Sequence, residues 1–162
     1  MREAIGGTWL TQLIIVFMLI FVAFLALSLN YTKAFKVKNE LLSIIEKQEG
    51  VTTGEYGTIG IINNYLQSNG YHIMKPCEVN SYGVTDLNND TIELVTNKDK
   101  KYHYCIQKMN SKSSRQDGKV YYKVNIFFYF NLPVLGDIFT FDINGSTGDV
   151  VYPQDKLIAK EE

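Results

Sequence analysis

The chain has 162 residues and a formal net charge of −1, with 17 acidic and 16 basic side chains. This balance gives no electrostatic reason to expect nucleic acid as a partner. The sequence contains no phosphate-binding glycine loop, no catalytic motif around His72 or His103, and no metal-ligand spacing. We therefore predict that the protein is not an enzyme and has no metal site and no cofactor.

The first predicted element is a transmembrane helix at residues 8–30. Residues 9–29 carry no charge. Their polar interruptions are Thr11, Gln12 and Ser28. At about 1.5 Å per residue, this stretch spans roughly 31 Å as a helix, which matches the hydrocarbon core of a bilayer. Trp9 and Tyr31 stand at its two ends, where aromatic side chains favour the membrane interfaces.

A cleaved signal peptide is the alternative, because residues 26–28 have the small-x-small pattern of a cleavage site. However, the apolar stretch is longer than the ~7–15 residues of such peptides. The segment before it also carries only Arg2 against Glu3. These features favour a membrane anchor, with the lipid bilayer as a partner.

Two features of the sequence give opposite predictions of which side of the membrane the rest of the chain occupies. The lysines that follow the helix outnumber Arg2 before it and favour a cytoplasmic domain, although long domains cross largely regardless of charge. The cysteine pair and the aromatic, β-rich composition favour the outside. We predict a single-pass cell-membrane protein in which residues 31–162 form one extracytoplasmic α+β domain.

The helix is predicted to continue beyond the membrane to about residue 49, with Gly50 as its stop signal. Apolar residues in 31–49 recur at three- and four-residue spacing, and lysines and glutamates occupy the other face. This outer, amphipathic half should therefore pack on a soluble domain.

The rest of the chain predicts one short helix, at residues 58–68, followed by an antiparallel sheet. The predicted strands are 71–77, 91–95, 101–109, 120–132, 137–143 and 150–152, with a loop at 78–90 and a polar hairpin tip at 110–118. Alternation is clearest in 120–132. One face of that strand carries Val120, Tyr122, Val124, Ile126, Phe128, Phe130 and Leu132, and the next strand points Phe139, Phe141 and Ile143 inward. The fold class is α+β, a long N-terminal helix packed on an antiparallel sheet.

The sequence contains two cysteines, Cys77 and Cys105, without the spacing of a redox or zinc motif. An exported domain allows them to form a disulfide, whereas the cytosol would keep both reduced. Sequence alone leaves these two alternatives open.

Basic residues gather between positions 98 and 123. They include Lys100, Lys101, Lys108, Lys112, Arg115 and Lys119. Such a cluster is a candidate site for an anionic envelope polymer. The alternative, which we favour, is a solvated hairpin tip.

The short leader of residues 1–7, which ends in Gly6 and Gly7, and the uncharged helix after it resemble the precursors of type IV pilins, in particular Tad-type pseudopilin-like proteins. The resemblance covers residues 1–49. It implies that a prepilin peptidase cuts between Gly7 and Thr8, that the fold is pilin-like, and that the mature chain self-assembles or joins pilus-assembly proteins.

A cut at Gly7 would make Gln12 the fifth residue, where this family usually has glutamate. The family's carboxylate neutralises the N-terminal amine of a neighbouring subunit, and glutamine offers only an uncharged hydrogen bond. The resemblance therefore implies a subunit contact at Gln12 and an accessory role in a bacterial surface pilus or secretion system. The alternative function is an uncleaved single-pass protein that displays a β-rich binding domain for an anionic envelope polymer or a protein partner.

Overall fold

The computed structural model describes residues 2–111, 119–132, 136–151, 153 and 155, with the backbone alone at 2–7, 130–132 and 136–139. Its two helices are α1, Arg2–Lys47, and α2, Thr58–Ser68. Its strands are β1, Lys75–Pro76; β2, Tyr82–Val84; β3, Glu93–Leu94; β4, Lys101–Tyr102; β5, Tyr104–Asn110; β6, Val120–Leu132; and β7, Gly136–Ser146. The predicted α+β class, with a long N-terminal helix packed on an antiparallel sheet, is confirmed.

Helix α1 is the one helix in the described residues that is long and apolar enough to cross a membrane, judged by length and composition. Its most apolar 18-residue window has a mean hydropathy of 2.8 and contains no fully buried residue. The helix begins at Arg2 rather than near residue 8 as predicted, because nothing in residues 2–7 forbids helical backbone.

The end of α1 forms a Schellman motif. Glu49, with φ 51°, is the left-handed residue. The Gly50 amide donates to the Ile45 carbonyl at 3.2 Å, and the Glu49 amide donates to the Glu46 carbonyl at 3.2 Å. The predicted stop near Gly50 is therefore correct to within a few residues.

A five-stranded antiparallel sheet, in the order β3-β2-β5-β6-β7, carries the outer half of α1. We call the side that packs on α1 the helix face and the opposite side the outer face. The core between α1, α2 and the helix face includes Val37, Leu41, Ile45, Ile59, Ile62, Leu66, Tyr104, Val124 and Ile126. Burial of these side chains supplies most of the favourable free energy of folding.

A second, smaller core lies on the outer face. It contains Cys77, Val95, Tyr102, Cys105 and Phe127. The segment between α2 and β5 folds over Phe127, and its β1 and β4 pair as a separate two-stranded sheet. The structure thus buries residues on both sides of β6.

Several predicted elements are confirmed and others are corrected. Helix 58–68 and strand 120–132 match α2 and β6. Strands 71–77 and 91–95 were too long, since the observed strands there contain two residues each. The predicted loop at 78–90 contains β2, and the predicted strand 101–109 breaks at His103.

The predicted last two strands also change. Strand β7 extends through the turn that was predicted after residue 143 and ends at Ser146. Of the predicted strand 150–152, the structure describes residues 150 and 151, where Val150 forms a single bridge with Val120. Ile143 is buried as predicted, and Phe141 is half-buried. The Phe139 side chain and most of the hairpin tip at 110–118 lie outside the described residues.

Candidate functional site

A groove of about 310 Å³ lies on the outer face, beside the smaller core. The side chains that line it are mainly amides, hydroxyls and one charge of each sign: Glu78, Ser81, Gln107, Lys123, Asn125, Asn144 and Ser146. Strands β5, β6 and β7 form its floor, and the loop after β1 forms one wall. These polar groups could orient a ligand by hydrogen bonds.

Asn125 is the most informative residue of this groove. It lies between Cys105 on β5 and Asn144 on β7, because the strand register pairs it with both. Its Oδ1 atom is buried and has no hydrogen-bond partner among the described residues. Buried amide oxygens nearly always accept a hydrogen bond, so this atom is an exception that no described donor explains.

The wall of the groove is fixed by a disulfide. Cys77 and Cys105 are bonded, with their Cα atoms 5.9 Å apart, and both side chains are almost fully buried. The bond joins the loop after β1 to the first residues of β5 and so holds Glu78 over the sheet. Both cysteines of the chain are used in this bond.

The described basic residues of the sequence cluster lie on both faces of the sheet. Lys108 pairs with Tyr122 across the ladder and lies on the helix-face side, whereas Lys123 pairs with Gln107 on the outer face. Lys108 forms an ion pair with Asp155. Lys112 and Arg115 lie outside the described residues. The strand period of two therefore separates cations that are near each other in sequence.

The remaining members of that cluster have separate environments. Lys100 forms an ion pair with Glu93, and this hydrogen bond raises the pKa of Lys100. Lys101 is exposed at the start of β4, and Lys119 is half-buried just before β6. Two of the predicted anion ligands, Lys100 and Lys108, thus already have carboxylate partners.

The two histidines have different surroundings. His103 lies between β4 and β5, and its Nδ1 is 3.1 Å from the Ile73 carbonyl oxygen. Burial lowers the pKa of His103, so it is neutral at physiological pH. His72 is exposed. In the part of the chain that the structure describes, no group of three His, Cys, Asp or Glu side chains could hold a metal ion.

The predicted processing and contact residues lie on α1. Gly7 has helical backbone, and the next residue, Thr8, has an exposed side chain. Gln12 is also exposed, in the apolar part of the helix. Within the described residues its side-chain amide has no hydrogen-bond partner.

Comparisons with protein-family models, with curated proteins and with solved structures found no match to this chain. The groove and its residue Asn125 were not predicted from the sequence. The available signal was the polar residue Asn125 among apolar neighbours in strand 120–132. Its environment depends on the fold of the segment that covers Phe127.

Proposed function

We propose that the protein is a pilin-like structural subunit, anchored by α1 and associated with other subunits through the membrane-spanning half of that helix. Gln12 carries the proposal. A side-chain amide in a bilayer lacks water to hydrogen-bond, and a second helix is the partner that most often satisfies it. Gln12 has no partner within its own described chain, which favours an amide contact between two copies of α1.

The shape of α1 supports the same role. Its outer half is a central element of the domain core, and its inner half is exposed around its whole circumference from Trp9 to Phe21. One helix without a break would therefore transmit a contact in the membrane directly to the position of the domain. Removal of residues 1–7 would place Thr8 at the new N-terminus, one helical turn from Gln12.

The disulfide supports an extracytoplasmic domain. Disulfides persist in oxidising compartments and are rare in the cytosol of most organisms. The bond between Cys77 and Cys105 is therefore expected to form on the outer side of the membrane.

Thiol cross-linking in native membranes tests the subunit contact. Val16 lies about 40° from Gln12 around the helix, and Phe21 lies about 180° from it. Their exposed fractions are matched, at 55% and 50%. We expect Val16→Cys to cross-link to a second copy, with little cross-linking of Phe21→Cys, and Gln12→Leu to weaken the Val16→Cys product. Equal products from both positions would contradict a specific contact.

Processing is tested separately by intact mass and N-terminal sequencing of the protein from native membranes. A chain that starts at Thr8 supports the pilin-like subunit. A chain that retains residues 1–7 contradicts processing and favours an uncleaved, membrane-anchored binding protein instead.

The second candidate function is an uncleaved single-pass protein whose groove binds a polar or anionic envelope polymer. The exposed Lys123, which lines the groove, favours it. Co-sedimentation with isolated cell-wall polymer tests this function. Binding should fall in Lys123→Gln and should persist in Lys98→Gln, which changes an exposed lysine away from the groove.

A further inference from the structure

The β6–β7 hairpin runs alongside α1 towards the membrane-spanning half of the helix. At the far end of the hairpin, the Gly148 amide donates to Glu46 Oε1 at 2.7 Å. Gly145 packs against Leu42 and Lys38. Hairpin residues that lie nearer the turn therefore contact residues that lie nearer the N-terminus of α1.

The next point of contact is closer still to the membrane. Phe128 and Phe141 stack, with their ring centroids 5.7 Å apart. They line a cavity of about 170 Å³ together with Asn30, Lys33 and Val37 of α1. The hairpin has thus reached the end of the predicted transmembrane segment, at residue 30, while its strands are still paired.

The ladder continues for four more residues, from Phe128 to Leu132, which pairs with Gly136. Four strand residues span about 13 Å, equal to roughly nine residues of α-helix. The strand ends would therefore lie level with about residues 21–24 of α1, which is roughly 9 Å inside the apolar stretch.

The exposure of α1 changes at this level. Residues 9–22 are exposed on every side. From there a half-buried stripe begins, at the helical spacing of one face: Ala23, Ala26, Leu27 and Asn30. Phe24 and Leu29, on other faces, remain 65% and 73% exposed. One side of the membrane-spanning half is therefore partly covered.

The sequence of the hairpin suits a lipid interface. Residues 128–136 contain no charged side chain. The strand positions beyond Phe128 are rich in aromatic and aliphatic residue types, with the polar pair Asn131 and Asp137 in register with each other. Tyr129 and Tyr31 are 47% and 52% exposed at the same end of the domain. Tyrosines favour the membrane–water interface.

We propose that the end of the β6–β7 hairpin is a second membrane contact, inserted shallowly into the bilayer leaflet beside α1. Lipid acyl chains and the headgroup boundary are its partner. A helix alone leaves the domain free to rotate and tilt about one attachment, whereas helix and hairpin together fix its orientation over the bilayer. This contact does not depend on processing of residues 1–7 or on subunit assembly.

Depth-dependent quenching of tryptophan fluorescence tests the contact in the full chain. Trp9 is the only tryptophan, so Trp9→Phe gives a silent background. Leu132→Trp then reports on the hairpin end. Val151→Trp is the matched control, because Val151 is also apolar and is 46% exposed beside Glu46, at the end of the domain away from the membrane.

Each variant is reconstituted in phosphatidylcholine vesicles with or without bromine on the upper acyl chain. We expect bromolipid to remove most of the Leu132→Trp emission and to leave Val151→Trp unchanged, at every lipid-to-protein ratio. A Leu132→Trp signal that bromolipid does not quench overturns the proposal. This holds whether the emission wavelength indicates that the tryptophan lies in water or in a protein interior. An intact disulfide on a non-reducing gel verifies folding, and Ile138→Trp replaces Leu132→Trp if that variant does not fold.

Discussion

The Tyr71 hydroxyl takes the place of a missing strand partner for Phe127. It accepts a hydrogen bond from the Phe127 amide at 2.8 Å and lies 2.5 Å from the Phe127 carbonyl oxygen, to which it donates. Regular pairing between β5 and β6 ends at Tyr104 and Ile126, because the chain leaves the strand at His103. Burial raises the pKa of Tyr71, so the hydroxyl keeps its proton at neutral pH.

Tyr71→Phe should therefore destabilise the protein without changing its shape. The substitution leaves a buried amide and a buried carbonyl of Phe127 without a partner, which costs about 1–3 kcal/mol. Thermal unfolding in detergent micelles measures the change, and hydrogen exchange at the Phe127 amide should become faster. Tyr56→Phe, at a side chain that is 86% exposed, is the control and should be neutral. Equal stability of both variants would contradict this role of Tyr71.

The relation between Tyr71 and Phe127 also marks the limit of what the sequence predicts. Alternation in residues 120–132 correctly predicts β6 and the burial of Val124 and Ile126 on its helix face. It does not predict that Phe127, on the opposite face, is 1% exposed. That burial depends on the segment between α2 and β5, whose long-range position no local pattern encodes.

The same limit applies to the candidate sites. The strand β2 was missed because Tyr82-Gly83-Val84 is short and lies among turn-forming residues. The basic cluster was predicted from proximity in sequence, whereas the register puts Lys108 and Lys123 on opposite faces. By contrast, α1 and α2 follow from local hydrophobic period and stop signals, so their prediction needed no tertiary information.

Position 83 requires glycine because the backbone there lies against the ring of Tyr102. A Cβ atom at Gly83 would clash with the Tyr102 ring, which is fully buried in the smaller core. We expect Gly83→Ala to destabilise the protein by about 1–3 kcal/mol, because a packed ring cannot move aside freely. Gly148→Ala is the matched control, since its Cβ would lie 3.7 Å from Glu46, an ordinary contact. Chemical denaturation measures both, and an unchanged midpoint for Gly83→Ala would show that the ring yields.

Loss of the disulfide should destabilise the domain more strongly. The bond between Cys77 and Cys105 closes a loop with a sequence separation of 28. In the chain-entropy model, a loop of that length contributes about 3–4 kcal/mol to stability. We expect the free energy of unfolding of the double variant Cys77→Ala, Cys105→Ala to fall by about this amount, so that it unfolds at a lower temperature than the wild type. Reductant should lower the stability of the wild type to that of the double variant and leave the variant unchanged. If reductant also destabilised the variant, its effect on the wild type would not be due to the disulfide alone.

Asp155 joins three parts of the domain near the C-terminal end of α1. Its Oδ1 accepts hydrogen bonds from the Tyr122 hydroxyl at 2.6 Å and from the Val51 amide at 3.0 Å, and Lys108 pairs with its Oδ2. Burial alone would raise the pKa of Asp155. The hydrogen bonds from Lys108, Tyr122 and Val51 outweigh it and leave that pKa below its usual value.

The stabilisation from Asp155 should consequently depend on pH. A carboxylate whose pKa is lowered by folding contributes fully above the unfolded pKa of about 3.9, and its contribution is lost as the pH falls through the folded pKa. We expect Asp155→Asn to unfold more readily than the wild type at pH 7, by about 1–3 kcal/mol. The difference should shrink steadily below about pH 4, where the wild-type carboxylate takes up its proton. Asp99→Asn, at an exposed loop position, is the control. A difference between Asp155→Asn and wild type that is as large at pH 3 as at pH 7 would show that the charge of Asp155 does not stabilise the fold.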